Sequence, residues 1–163
     1  MIIINKSGYL KYKNFKLRCS LGKAGIKNKK QEGDNITPKG TYRAIKIFYR
    51  PDKINLIKTH LRKIKIKKNM GWCDDPESKF YNKLIKTPIK DSYEKFYRKD
   101  NVYDIIIVLN YNMKPIIKGK GSAIFIHISK KNYQPTAGCI ALRRDDLIKL
   151  LKINDKNRKF KIF

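Results

Sequence analysis

The chain has 163 residues, with 40 Lys and Arg against 13 Asp and Glu, for a net charge of +27. That length suits one compact domain with a core of its own, and 41% hydrophobic with 11% aromatic residues excludes the composition of a disordered chain. The three cysteines, Cys19, Cys73 and Cys139, cannot all pair and lack Cys-x-x-Cys spacing, so neither a disulfide framework nor a structural metal is implied.

Along the chain, Ile2 to Ile4 gives three apolar residues before Asn5 and Lys6, too few for a signal-peptide core or a membrane span. The sequence as given therefore reads as soluble and without a visible export address. This run, a turn over Asn5 to Gly8 and Tyr9 to Tyr12 form a predicted hairpin, and Phe15 to Ser20 alternates like a half-buried strand. From Gly22 to Gly40 the composition turns to Gly, Lys, Asp and Asn, a long loop punctuated by Pro38 and Gly40 before a strand over Tyr42 to Tyr49. Ile54 to Lys68 mixes both periods: Ile64 and Ile66 alternate with lysines, while Leu56, Ile57, His60 and Leu61 fall at helical spacing. Gly71 to Ser78 reads as a polar loop carrying the single tryptophan, Trp72, whose bland reading is a buried aromatic anchor.

Ile105 to Leu109 is an unbroken aliphatic run, the pattern of a central strand covered on both faces, and Asn110 to Asn112 turns the chain. Further apolar segments follow at Ala123 to Ile128 and Gly138 to Leu142. Asp145 is placed to cap a helix with Leu147, Ile148, Leu150 and Leu151 inward. Roughly eight short strands and one convincing helix predict a mainly β fold, a sandwich or barrel-like sheet with the late helix packed on it, in one domain over residues 1–163.

The charge invites a nucleic-acid partner, because lysine-rich domains bind phosphate backbones by releasing counterions. Here, however, lysine comes with 25 Ile, 13 Asn, 10 Tyr and 7 Phe, the joint enrichment that drift toward A/T-rich codons produces. Charge alone decides nothing.

The chemistry is carried by a smaller set. Of two histidines, His127 precedes Cys139 by twelve positions, and Cys139 directly follows Gly138. Each alone is more often structural than functional. Together they supply a thiol and the imidazole that takes its proton, and a glycine beside the nucleophile lets backbone amides approach a developing oxyanion. No carboxylate lies between them, so the imidazole is oriented either by an acid from elsewhere or by a backbone carbonyl. His60, among lysines with no cysteine nearby, is a weak candidate.

Gly121-Ser122-Ala123-Ile124-Phe125-Ile126-His127 followed by Pro135-Thr136-Ala137-Gly138-Cys139-Ile140-Ala141-Leu142 resembles the catalytic signature of the L,D-transpeptidase (YkuD-like) family. In that signature a strand-borne histidine and a spacer precede Ser or Thr, usually His, then Gly-Cys; Ala137 stands at the usual histidine and Ala141 where many members carry arginine. Gly33 to Tyr42 resembles the family's Thr-Pro-x-Gly-x-aromatic loop. Gly71-Trp72-Cys73-Asp74-Asp75-Pro76, with the Pro-Thr-Ala-Gly-Cys form, resembles a subgroup. The match runs from about Phe15 to Leu151.

The resemblance implies a β-sandwich or barrel of mixed sheets with one or two packed helices, and peptidoglycan cross-linking through a cysteine acyl-enzyme, with Cys139, His127 and Gly138 catalytic. A cysteine carboxypeptidase on the same scaffold is the alternative, and a non-catalytic polyanion-binding module the rival from another class. Thr136, Trp72, Asp74 and Tyr81 are expected to line the substrate groove, and Arg143 or Arg144 to replace the missing arginine charge. The implied partners are peptidoglycan stem peptides, without nucleic acid, cofactor or metal, acting as a monomer at the cell envelope or periplasm.

Overall fold

The computed structural model describes residues 1–55, 57–152 and 159–163. Its elements in chain order are β1 (Ile2–Asn5), β2 (Tyr9–Tyr12), β3 (Phe15–Arg18), β4 (Ile26–Lys27), β5 (Thr37–Pro38), β6 (Gly40–Tyr49) and β7 (Arg62–Lys65). They continue with β8 (Met70–Cys73), β9 (Leu84–Lys86), β10 (Tyr93–Lys95), β11 (Ile105–Leu109), β12 (Phe125–Ile128), β13 (Ile140–Leu142), α1 (Arg144–Lys152) and β14 (Lys159–Ile162).

Nine strands form one mixed sheet in the order β13-β12-β11-β6-β14-β1-β2-β3, with β7 also on β6. Its two ends meet. Beyond β3, Ser20 exchanges two backbone hydrogen bonds with Ala141 of β13, at 2.8 and 3.0 Å, so the sheet curls into a nearly closed barrel. Closure hides edge groups that would otherwise stand unpaired. The segment that holds Cys139 thus lies where the barrel closes.

One face of the sheet is aliphatic. Ile2, Ile4, Ile47, Ile105, Ile107, Ile126, Phe160 and Ile162 gather there with Leu147, Leu150 and Leu151 of α1. On the other face, Phe48, Ile106, Val108 and Phe125 pack with Trp72 and Phe96, brought by the three-stranded sheet β10-β8-β9. Every residue of β11 is buried, because it is covered on both sides. The aliphatic run announced this, since a strand with no wet face needs no polar alternation.

Several expectations change. Gly71 to Cys73 is strand β8 rather than loop, and only the Asp74 end turns. A side chain at Gly71 would approach Thr87 Cγ2 and Tyr93 Cδ2 to 2.9 Å, so glycine there serves sheet packing, not a turn. Asp145 sits inside the first turn of α1 instead of capping it, where its charge still suits the helix N-terminus. In the mixed stretch only Arg62–Lys65 is regular, as a strand; Leu56 lies outside the described residues.

Candidate active site

In parallel pairing, β12 and β13 set Ile126 beside Ile140 and His127 beside Ala141. Side chains alternate along strands, so Phe125, His127 and Cys139 share one face. The aromatic layer floors this face: Trp72 lies edge-on to Phe125 at 5.4 Å, and Tyr103 edge-on to His127 at 5.3 Å.

Cys139 is 9% exposed. Its thiol donates to the Ala123 carbonyl at 3.1 Å and accepts from the Phe125 amide at 3.4 Å. Burial pushes the thiol up, and the charge of Glu94 pushes the same way, against the Phe125 amide and Lys29. The resting nucleophile is therefore a protonated thiol.

His127 is 7% exposed, and its Nδ1 lies 2.9 Å from the carbonyl of Ile128. A carbonyl only accepts, so this contact places the proton on Nδ1 and leaves the Nε2 lone pair free. Of the two ways to orient the imidazole, the structure uses the backbone. Burial lowers the histidine to about 4, outweighing the Ile128 hydrogen bond, so the ring is neutral near pH 7.

The loop before Cys139 is stitched to distant chain. Thr37 Oγ1, fully buried, donates to the Gly138 carbonyl at 2.9 Å and accepts from the Gly22 amide at 2.8 Å. This contact gives the Thr-Pro segment, strand β5, its place in the site: its threonine fixes the residue preceding the nucleophile. Gly138 has φ +139°, and a Cβ there would stand 2.9 Å from the Ile36 carbonyl, so no side chain fits. Its amide donates to Thr136 Oγ1 at 3.1 Å, and Thr136 Oγ1 donates to the Cys139 carbonyl at 2.6 Å. Both residues are thus engaged within the loop, and the Gly138 amide is not turned to an incoming oxyanion.

Two clefts open here. One, of about 450 Å³, is lined by Cys139, Gly138, Ser122 and the carboxylates Glu32, Asp74 and Glu94 among others. The second, of about 190 Å³, is lined by His127, Tyr103, Thr136, Arg98 and Lys130. Ala137 lines both. The thiol and imidazole therefore border two clefts that share Ala137.

Of the residues expected to bind substrate, Asp74 and Thr136 line these clefts. Trp72 does not. It is 2% exposed, and its Nε1–H donates to Asn82 Oδ1 at 2.9 Å. That oxygen also accepts from the amide of Ala123, whose carbonyl holds the thiol. Trp72 thus acts behind the site through Asn82, a residue that sequence reading passed over although Asn is among the few side chains at ease with its positive φ of 54°. Tyr81, also 2% exposed, stands behind the cleft wall and donates to Glu32 at 2.5 Å. Arg143 lies in a separate basic groove with Arg18, Lys130, Lys131 and Arg144, so it does not supply charge beside Cys139. The site's cations are Lys29 on the cysteine side and Arg98 and Lys130 on the histidine side.

The YkuD family model, described as the L,D-transpeptidase catalytic domain, matches residues 1–162. The chain belongs to the YkuD family. No curated protein matches it significantly. YkuD domains are cysteine-nucleophile acyltransferases and peptidases, which agrees with a thiol and a neutral imidazole on one face of paired strands. Membership implies peptidoglycan as the substrate and the cell wall, outside the cytoplasm, as the place of action. Among the described residues, no helix is long and apolar enough to cross a membrane.

Proposed function

We propose that this YkuD domain cross-links peptidoglycan as an L,D-transpeptidase through a thioester on Cys139. The observation that carries this reading is the histidine tautomer: with Nδ1 on the Ile128 carbonyl, the free Nε2 of a neutral ring is ready to accept a proton. Cys139 Sγ attacks the carbonyl of an L-centre in the donor stem as its proton passes to His127. The tetrahedral adduct collapses, the C–N bond breaks, and the departing D-residue amine takes that proton. The neutral amine on the D-centre of an acceptor diaminopimelate residue then attacks the thioester, gives its proton to His127 and forms the amide, and the proton returns to the released thiolate.

Water in place of the amine would make the same domain a carboxypeptidase. Enclosure of Cys139 at 9% exposure favours transfer, because a filled cleft leaves little room for competing water. The test is to incubate purified protein with disaccharide tetrapeptides and follow both protein and products by mass spectrometry. The expected result is a thioester on Cys139 and cross-linked dimers in excess over shortened monomers; monomers alone assign the carboxypeptidase. A carbapenem is expected to add to the wild type and not to Cys139→Ala, and absence of the wild-type adduct counts against the nucleophile assignment.

A further inference from the structure

Four of the chain's 13 acidic residues, Glu32, Asp74, Asp75 and Glu94, stand on the wall of the cysteine cleft. On a surface this rich in lysine a carboxylate readily meets a cation, yet among the described residues none of these four forms an ion pair with Lys or Arg. Neutral donors hold them instead. Tyr81 donates to Glu32 at 2.5 Å, Ser92 to Asp74 at 2.7 Å, Tyr103 to Glu94, and the Glu77 amide to Asp75 at 2.9 Å. The nearby cations are engaged elsewhere: Lys29 pairs with Asp34 at 2.5 Å, and Arg98 with Asp100 at 2.5 Å. Hydroxyls fix carboxylates in position without cancelling their charge, so the cleft keeps a negative field inside a strongly positive molecule.

A second observation points into the same space. Ser122 is 5% exposed and lines the cleft, and its hydroxyl has no hydrogen-bond partner. A buried hydroxyl without a partner costs stability unless a bound group completes it.

We propose that the cysteine cleft is an ammonium-binding site, with Glu32, Asp74 and Glu94 as counter-charges and Ser122 Oγ as a neutral acceptor for a primary ammonium group of the substrate. The identity of that group rests on the transpeptidase reading: it is the side-chain ammonium of a diamino acid in a stem peptide, donor or acceptor. Occupation also helps the chemistry. Glu94 and Glu32 both disfavour the Cys139 thiolate, and a cation among them relieves that opposition once substrate is present.

The experiment measures binding of the N-terminally acetylated tetrapeptide L-Ala-γ-D-Glu-meso-diaminopimelyl-D-Ala to Cys139→Ala protein by titration calorimetry. A second arm uses the same peptide acetylated on the diaminopimelate amine. The free ammonium is expected to bind about tenfold more tightly, as for a charge-assisted hydrogen-bonded contact. Glu32→Gln with Asp74→Asn, which keep the acceptor oxygens for Tyr81 and Ser92, is expected to remove most of that preference. Equal affinity of the two peptides for the parent protein overturns the proposal without any carboxylate variant having to fold.

In the Cys139-containing protein the two carboxylate changes separate the sources. Slowed thioester formation places the ammonium on the donor, whereas normal thioester formation with reduced transfer places it on the acceptor. An effect on neither step overturns the site. A retained binding preference with no thioester on Cys139 defeats the transpeptidase reading and leaves ammonium recognition standing.

Discussion

On one side of Ala137 the cleft over Cys139 is walled by Glu32, Asp74, Asp75 and Glu94; on the other, the smaller cleft over His127 is walled by Arg98 and Lys130. A chain carrying +27 places four of its 13 acids on the cysteine side of its reactive pair. The difference teaches that bulk charge and site charge are separate properties. The many lysines and arginines of the chain set the first, while residues held by specific donors set the second. A peptide bearing both ammonium and carboxylate groups would be aligned across the two clefts by that polarity.

The sharpest way to break the comparison is to ask whether both clefts serve one reaction. Cys139→Ala is expected to abolish thioester formation, transfer and carbapenem addition while leaving the melting temperature within a few degrees, read by mass spectrometry and calorimetry. His127→Gln, on the opposite side, is expected to lower kcat/KM by about 10²- to 10⁴-fold, the usual contribution of a general base. Full activity in His127→Gln would mean that the smaller cleft takes no part in the chemistry.

The same histidine gives a pH signature. Its value is lowered from 6.5 to about 4 in the folded chain, so between these limits the unfolded state binds a proton that the native state refuses. Stability is thus retained above about pH 6.5 and lost as pH falls toward 4, by of order 3 kcal/mol at most. Chemical denaturation from pH 7 to 4.5 is expected to show this fall in the wild type and a smaller one in His127→Gln. Activity should stay level down to about pH 5, because the neutral base persists there.

How much of this was legible in the sequence depended on distance along the chain. Cys139, Gly138 and His127 lie within one short stretch, and the strand pair carrying them is announced by two apolar runs. The doubly covered β11 and the β1–β2 hairpin were legible for the same local reason. What failed was long-range. β14 enters between β1 and β6, parallel to β1, and nothing in Lys159–Ile162 specifies that neighbour. Glu32 and Glu94 reach the nucleophile from loop and sheet segments far away in sequence. Trp72 is expected on the groove wall from its subgroup-like loop and amphipathic ring, but β8 turns it into the aromatic layer, as its bland reading of a buried anchor has it, and its indole N–H is linked to the site through Asn82.

That link supplies a prediction of intermediate size. Trp72→Phe keeps an aromatic ring in the layer but leaves Asn82 Oδ1 without one of its two donors, the other being the Ala123 amide. The expected cost is about 1–3 kcal/mol in denaturant unfolding, together with a fall in kcat larger than any rise in KM, since the Ala123 carbonyl that holds the thiol is loosened while the clefts remain lined as before. Unchanged kcat at reduced stability would confine Trp72 to packing.

The smallest expected effect probes the polarity itself. Glu94 is partly buried, and its carboxyl is raised by that burial against the hydrogen bond from Tyr103. Glu94→Gln removes the charge that opposes the thiolate while keeping an acceptor oxygen for Tyr103. The thiol should fall, and alkylation of Cys139 by iodoacetamide at pH 7.5, which follows the thiolate fraction, should quicken by about two- to fivefold. Cys19 and Cys73 are also buried, so the rate must be read by peptide mapping rather than by total modification. On the histidine side, Arg98→Gln has the mirror consequence. Arg98 disfavours the imidazolium, so its loss raises His127 and moves the acid limb of kcat/KM upward. Should Glu94→Gln leave alkylation unchanged while Arg98→Gln moves the limb, the acidic wall would act on the ligand alone and not on the nucleophile.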